Sequence, residues 1–132
     1  MEKFTIGKLA KKANVNLETI RYYERRGLLP EPPRNKSGYR QYSIEEVKRT
    51  EFIKRCQALG FSLKQISELL SLKIIPGTTC DDIKVRVETK IADVEKRIVD
   101  LDKIREALLR MSSKCTGKGP FGQCPILEEL YK

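Results

Sequence analysis

Every seventh residue from position 80 to position 115 is apolar or a thiol: Cys80, Val87, Val94, Leu101, Leu108 and Cys115. Ile83, Ile91, Ile98, Ile104 and Met111 fill neighbouring positions of the same seam. A seven-residue repeat sustained this long marks a helix that packs against another along its length. Thr79 and Asp82 form a capping box, and Asp81 and Asp82 suit a helix N-terminus, so the spacing predicts one helix from about 80 to 112. At about 1.5 Å per residue it is roughly 50 Å long, a poor fit for folding back over the residues before it. The apolar stripe therefore calls for a second copy of the chain, and a homodimer is expected.

The orientation of the pair follows from the same residues. Antiparallel pairing with residue i opposite residue 195−i sets Val87 against Leu108, Val94 against Leu101 and, independently of the repeat, Ile91 against Ile104. That register also places Cys80 of one chain opposite Cys115 of the other. Parallel pairing would set Cys80 beside its own copy. The antiparallel coiled coil is the favoured arrangement.

Charge separates the remainder from this helix. Residues 1–79 hold 16 Lys+Arg and 8 Asp+Glu, a balance of +8, whereas residues 80–132 hold 11 and 10, a balance of +1. A basic head joined to a nearly neutral remainder points to a polyanion as partner. The chain has no His, which removes the commonest general base and a common zinc ligand, so enzymatic chemistry is disfavoured. No apolar run is long enough to span a membrane, and the lysines among the first twenty residues argue against a secretory leader, so a cytoplasmic protein without a membrane partner is expected.

Within the head, Ile6, Leu9, Ala10 and Ala13 recur at helical spacing after Thr5. Asn14 and Asn16 punctuate the chain, Asn16 caps a second helix from Leu17 to Arg26, and Gly27 ends it. Two short helices across three residues describe a helix-turn-helix. The second presents Glu18, Thr19, Arg21, Tyr22, Arg25 and Arg26 on its outward faces, and such groups bond phosphates or base edges. Residues 30–42 are too rich in Pro and Gly for a helix; Lys36-Ser37-Gly38 reads as a turn and Tyr39-Arg40-Gln41-Tyr42 as a short strand. A hairpin carrying Arg34, Lys36 and Arg40 would form a wing beside the second helix. Ser43 to Glu46 and Ser62 to Gln65 are capping boxes that open two more helices, with Gly60 ending the first. Ile44, Val47, Phe52, Ile53 and Leu59 are expected to close the core, with Leu63, Ile66, Leu69 and Leu70 extending it.

Four cysteines, at 56, 80, 115 and 124, are too dispersed for a zinc knuckle or a clustered iron–sulfur site. Cys56 sits inside a head helix, where burial as a small apolar residue is expected. Cys80 begins the long helix, Cys115 follows its end, and Cys124 precedes Pro125, which suits the first position of a short last helix. The glycines between 116 and 123 allow Cys124 to curl toward Cys115. In the antiparallel dimer Cys80 of one chain then meets Cys115 and Cys124 of the other, giving two three-sulfur sites. Three thiolates with no His and no fourth donor select a soft metal, with Hg(II) the best match and Pb(II) or Cd(II) next.

Two motifs carry a family likeness. Thr19-Ile20-Arg21-Tyr22-Tyr23-Glu24-Arg25-Arg26-Gly27-Leu28, followed by Gly38-Tyr39-Arg40-Gln41-Tyr42, strongly resembles the MerR family of bacterial transcription regulators, and with the long helix the resemblance covers almost the whole chain. It implies a mainly all-α protein: a winged helix-turn-helix DNA-binding head at 1–75, a linker at 76–79, a dimerisation helix at 80–112 and a metal-binding loop with a short helix at 113–132. Asn16, Glu18, Thr19, Arg21, Tyr22, Arg25, Arg34, Lys36, Tyr39, Arg40 and Tyr42 are the expected DNA-binding residues. Cys80, Cys115 and Cys124-Pro125 fall where mercury-sensing members carry their cysteines, which implies one Hg(II) per three-cysteine site and two sites per dimer. Such regulators hold RNA polymerase silent at double-stranded promoter DNA and activate by distorting it. A lead- or cadmium-responsive member, a metal-buffering thiol protein and a constitutive DNA binder are the competing readings.

Overall fold

The computed structural model describes residues 2–132, which form six helices: α1 (Ile6–Ala13), α2 (Leu17–Arg25), α3 (Ile44–Ala58), α4 (Leu63–Ile74), α5 (Cys80–Ser113) and α6 (Pro125–Leu130). Among the described residues the extended backbone contributes only two isolated antiparallel bridges, Phe4 with Tyr42 and Arg34 with Arg40. The architecture is mainly helical, as the sequence implied. The expected wing strand is reduced to these two pairings.

Local chemistry sets each boundary. The Thr5 hydroxyl accepts from the Lys8 amide at 3.2 Å and opens α1. Asn14 closes it in the left-handed conformation at φ 56°, which Asn tolerates better than most residues. The Asn16 side chain accepts from the Thr19 amide at 2.8 Å to open α2. Helix α2 ends at Arg25 with Arg26 as its cap, one residue earlier than expected, and Gly27 takes φ +75° just beyond. Ser62 and Gln65 form the reciprocal capping box of α4, with bonds of 2.9 and 3.1 Å. Thr79 and Asp82 do the same for α5, at 2.8 and 3.4 Å.

The core belongs to the first of two compact units, which reaches to Lys84; the second runs from Val85 to Lys132. Leu9, Ile20, Tyr42, Ile53 and Ile66 are wholly buried, with Phe4, Tyr23, Leu28, Leu29 and Val47 around them. Two expected core residues are not there. Ile44 and Leu59 are exposed because the inward face of α3 follows Val47, Thr50, Ile53 and Cys56, and those two positions lie at its ends. Thr50 is fully buried without penalty, since its hydroxyl donates to the Glu46 carbonyl at 2.7 Å.

In the second unit α5 continues without a break, and most of its apolar side chains are open to solvent. Val87, Ile91, Val94, Ile98, Leu101, Ile104 and Leu108 are all exposed in the single chain. Lys114 Nζ reaches Glu129 Oε2 at 2.8 Å and so ties the end of α5 to α6. Among the described residues no helix is long and apolar enough to cross a membrane.

Candidate DNA-binding surface and metal-binding thiols

Helix α2 and the segment 30–42 enclose a cleft of about 440 Å³ lined by Arg21, Glu24, Arg25, Arg34, Tyr39 and Arg40 together with the start of α1. Four guanidinium groups around one cleft make an anion-attracting surface. Arg21 is exposed and held lightly, its Nη1 donating to Glu18 at 3.0 Å across one helical turn. Arg25 lies over the ring of Tyr22 at 5.9 Å from its centroid. Asn16 and Thr19 are committed to capping, with the Thr19 hydroxyl donating to Asn16 Oδ1 at 2.9 Å.

The wing is a turn built on Asn35. Its side-chain oxygen accepts from the Ser37 and Tyr39 amides at 2.9 and 3.0 Å, and Gly38 supplies φ +84°. Arg34 Nη1 donates to the Gly38 carbonyl at 2.7 Å and braces the turn from beneath. Lys36 is exposed at the tip and Tyr39 is 70% exposed, so both remain available to a partner.

Arg40 and Tyr42 are placed differently. Arg40 Nη1 donates to Glu24 Oε1 at 2.7 Å and Nη2 to Glu31 Oε1 at 3.3 Å. The Tyr42 hydroxyl donates to the other Glu24 oxygen at 3.1 Å. Tyr42 has no exposed surface, which removes it from the expected DNA contacts and makes it a core residue. Burial first, and then the adjoining Glu24 carboxylate, push its phenol pKa up and keep it a donor. Sequence reasoning missed Glu24; the signal was a lone acid among the cations of the second half of α2.

The four thiols differ in burial. Cys56 is buried in α3, and burial pushes its thiol pKa up. Cys80 is exposed at the first position of α5, whereas Cys115 and Cys124 are half-buried; none is in a disulfide. The Gly117 amide donates to Cys115 Sγ at 3.4 Å. Cys124 is the residue from which α6 starts, and Pro125 follows as its first helical residue. The pair Lys114–Glu129 fixes the two ends of the loop that carries Cys115 and Cys124. Among the described residues of one chain, no three Cys, Asp or Glu side chains come together as a metal site. These sulfur donors fit a soft ion, and nitrogen donors from His do not exist in the chain.

The model of the MerR HTH family regulatory protein matches residues 4–73, and that of the MerR DNA-binding region matches residues 47–111. The mercuric resistance operon regulatory protein of Bacillus cereus is 45% identical over 130 residues, covering 98% of each chain. A dual-function MerR regulator of Bacillus megaterium, solved with mercury(II), is 40% identical over 98% of this chain and all of that one, with a TM-score of 0.75. A lead(II)-bound transcription regulator of Ralstonia metallidurans is 34% identical over 96% and 98%, with a TM-score of 0.85.

Proposed function

The chain belongs to the MerR family of helix-turn-helix regulators, and from that premise we propose that it is a mercury(II)-responsive transcription regulator, not an enzyme. It acts in the cytoplasm as a homodimer on double-stranded promoter DNA. The observation that carries the metal reading is the placement of three free thiols: one at the first residue of a 34-residue helix, two on the loop beyond its end. Identity of 45% to a mercuric resistance operon regulatory protein over 98% of each chain supports the same effector.

Each site is built across the dimer. The antiparallel seam brings Cys80 of one chain to Cys115 and Cys124 of its partner, so two sites form and each takes one Hg(II). Mercury supplies strong, soft bonds to thiolate sulfur, and the chain supplies the three sulfurs in the absence of imidazole. Arg21, Tyr22, Arg25, Arg34, Lys36 and Tyr39 hold the promoter backbone, with both heads of the dimer on one operator. Without metal the dimer keeps RNA polymerase silent. Cys80 directly follows the segment that leaves α4, so drawing its sulfur toward the partner's loop resets each head and distorts the DNA into an active promoter. Such a shift requires the activating arrangement to hold the ion more tightly than the silent one.

Backbone likeness to the lead(II)-bound regulator does not decide the metal, since the fold is common to both and the donors are what select the ion. Titration of the reduced protein with Hg(II), and separately with Zn(II), Cd(II) and Pb(II), under excess small thiol decides it. Thiolate-to-metal charge-transfer absorption should report Hg(II) retained at two per dimer and lost in each single cysteine variant. Loss of Hg(II) to the competitor with retention of Pb(II) or Cd(II) would replace the effector. Retention of no metal would overturn the sensor.

A further inference from the structure

The Glu24 side chain is 10% exposed and has both carboxylate oxygens engaged by the wing: Arg40 on one at 2.7 Å, the Tyr42 hydroxyl on the other at 3.1 Å. Arg40 spends its second amino group on Glu31. Its positive charge is thus met by two acids, and its side chain is 31% exposed. Tyr42 is anchored further by backbone bonds to Phe4, with its amide donating to the Phe4 carbonyl at 2.8 Å and its carbonyl accepting from the Phe4 amide at 2.6 Å. The groups open to a polyanion are Arg21, Arg25 and Tyr39 of the same cleft, with Lys36 exposed at the tip of the wing.

Resting on the reading that the head binds DNA, we infer that Glu24, Arg40 and Tyr42 are positioning residues that lock the wing to the recognition helix and make no contact with the DNA. Two grips on one rigid mount bind together at high effective concentration. A wing that swings free must be ordered at the moment of binding, and that ordering subtracts from affinity. Glu24 therefore strengthens binding to a polyanion although it carries the same sign of charge. Simple electrostatics predicts the reverse, since deleting an acid beside a DNA-binding surface should tighten the complex.

The test is binding of the reduced, metal-free full-length dimer to a promoter fragment across a salt series, with hydroxyl-radical footprinting. Glu24→Gln should weaken binding at least tenfold while leaving the slope of log K against log salt unchanged, because the same phosphates are still neutralised. Arg40→Gln should do the same, and the double variant should be no weaker than the weaker single. At saturating protein the footprint should keep its full extent under both the wing and α2, since the ordering cost lowers affinity and removes no phosphate contact. Arg21→Gln serves as the control for a direct grip on the backbone, with a slope shallower by about 0.9 for each phosphate it leaves unneutralised. A shallower slope for Arg40→Gln, additive losses, or tighter binding by Glu24→Gln would each overturn the inference. Tyr42→Phe removes one hydroxyl from the network and decides the matter if Glu24→Gln fails to fold: a two- to fivefold loss at unchanged slope is expected, and unchanged affinity refutes it. Failure of the unsubstituted dimer to bind specifically would instead strike the DNA-binding reading itself.

Discussion

Lys114, one residue before Cys115, pairs with Glu129 on the helix that Cys124 opens, at 2.8 Å. The pair closes the cysteine loop without contributing a sulfur. Both side chains are substantially exposed, and the hydrogen bond from Lys114, followed by its charge, holds the Glu129 carboxyl below its usual range. Exposed pairs contribute little and are screened by salt. Glu129→Gln should therefore lower metal affinity by no more than about fivefold. The difference should vanish at high ionic strength in competition titrations. A loss of a hundredfold would mean that the loop depends on this pair far more than its exposure allows.

Complementation between variants tests the cross-chain site. Cys80→Ser alone, or Cys115→Ser with Cys124→Ser, should each abolish tight metal binding. A heterodimer of the two retains Cys80 on one chain and Cys115 with Cys124 on the other, which reconstitutes one site. Mixed dimers should bind one ion tightly where either parent binds none. Cys56→Ser should keep two sites while losing about 1–3 kcal/mol of stability, the cost of a buried hydroxyl without a partner.

The exposed stripe of α5 makes orientation measurable. Ile91→Lys should weaken the dimer by about 3–6 kcal/mol, since each dimer loses two buried apolar side chains. In the antiparallel register Ile91 faces Ile104, so adding Ile104→Glu should restore much of the association by pairing opposite charges. Parallel chains would set Lys on Lys and Glu on Glu, and the double variant would then be worse than the single. Sedimentation equilibrium distinguishes the two outcomes.

What the sequence disclosed was what is local or periodic. Thr5, Asn16, Ser62 and Thr79 act as caps because capping needs only residues three positions apart. The run of α5 from Cys80 to Ser113 follows from a repeat that no other structure maintains. The exposure of Ile44 and Leu59 was hidden because α3 has apolar residues on more than one face, and tertiary packing chose among them. The Glu24–Arg40–Tyr42 network was hidden for a different reason. Its members lie 16 and 18 residues apart, and a charged pair between two elements leaves no periodic trace. The motif puts Tyr42 among the expected DNA-binding residues, whereas backbone pairing with Phe4 turns it into the core.

Glu46 closes the capping box of α3 by accepting from the Ser43 amide at 2.8 Å and from the Ser43 hydroxyl. Its partial burial opposes the charged form, but the bonds from Ser43 outweigh that and hold its pKa below the usual carboxylate range. A carboxylate with a depressed native pKa stabilises the fold above its unfolded pKa, near 4.3, and loses that contribution as pH falls through the native value. Glu46→Ala should cost about 1 kcal/mol at neutral pH, the usual effect of a lost cap. The gap between the variant and the unsubstituted protein should narrow toward pH 3, where both lack the charged acceptor. Glu46→Gln keeps a neutral acceptor oxygen, so it should lose less at neutral pH and vary less with acid. Urea unfolding at fixed protein concentration, at pH 7 and pH 3, measures all three. A gap that widens on acidification would mean that the protonated acid is the better cap and that Ser43 does not hold the carboxylate charged.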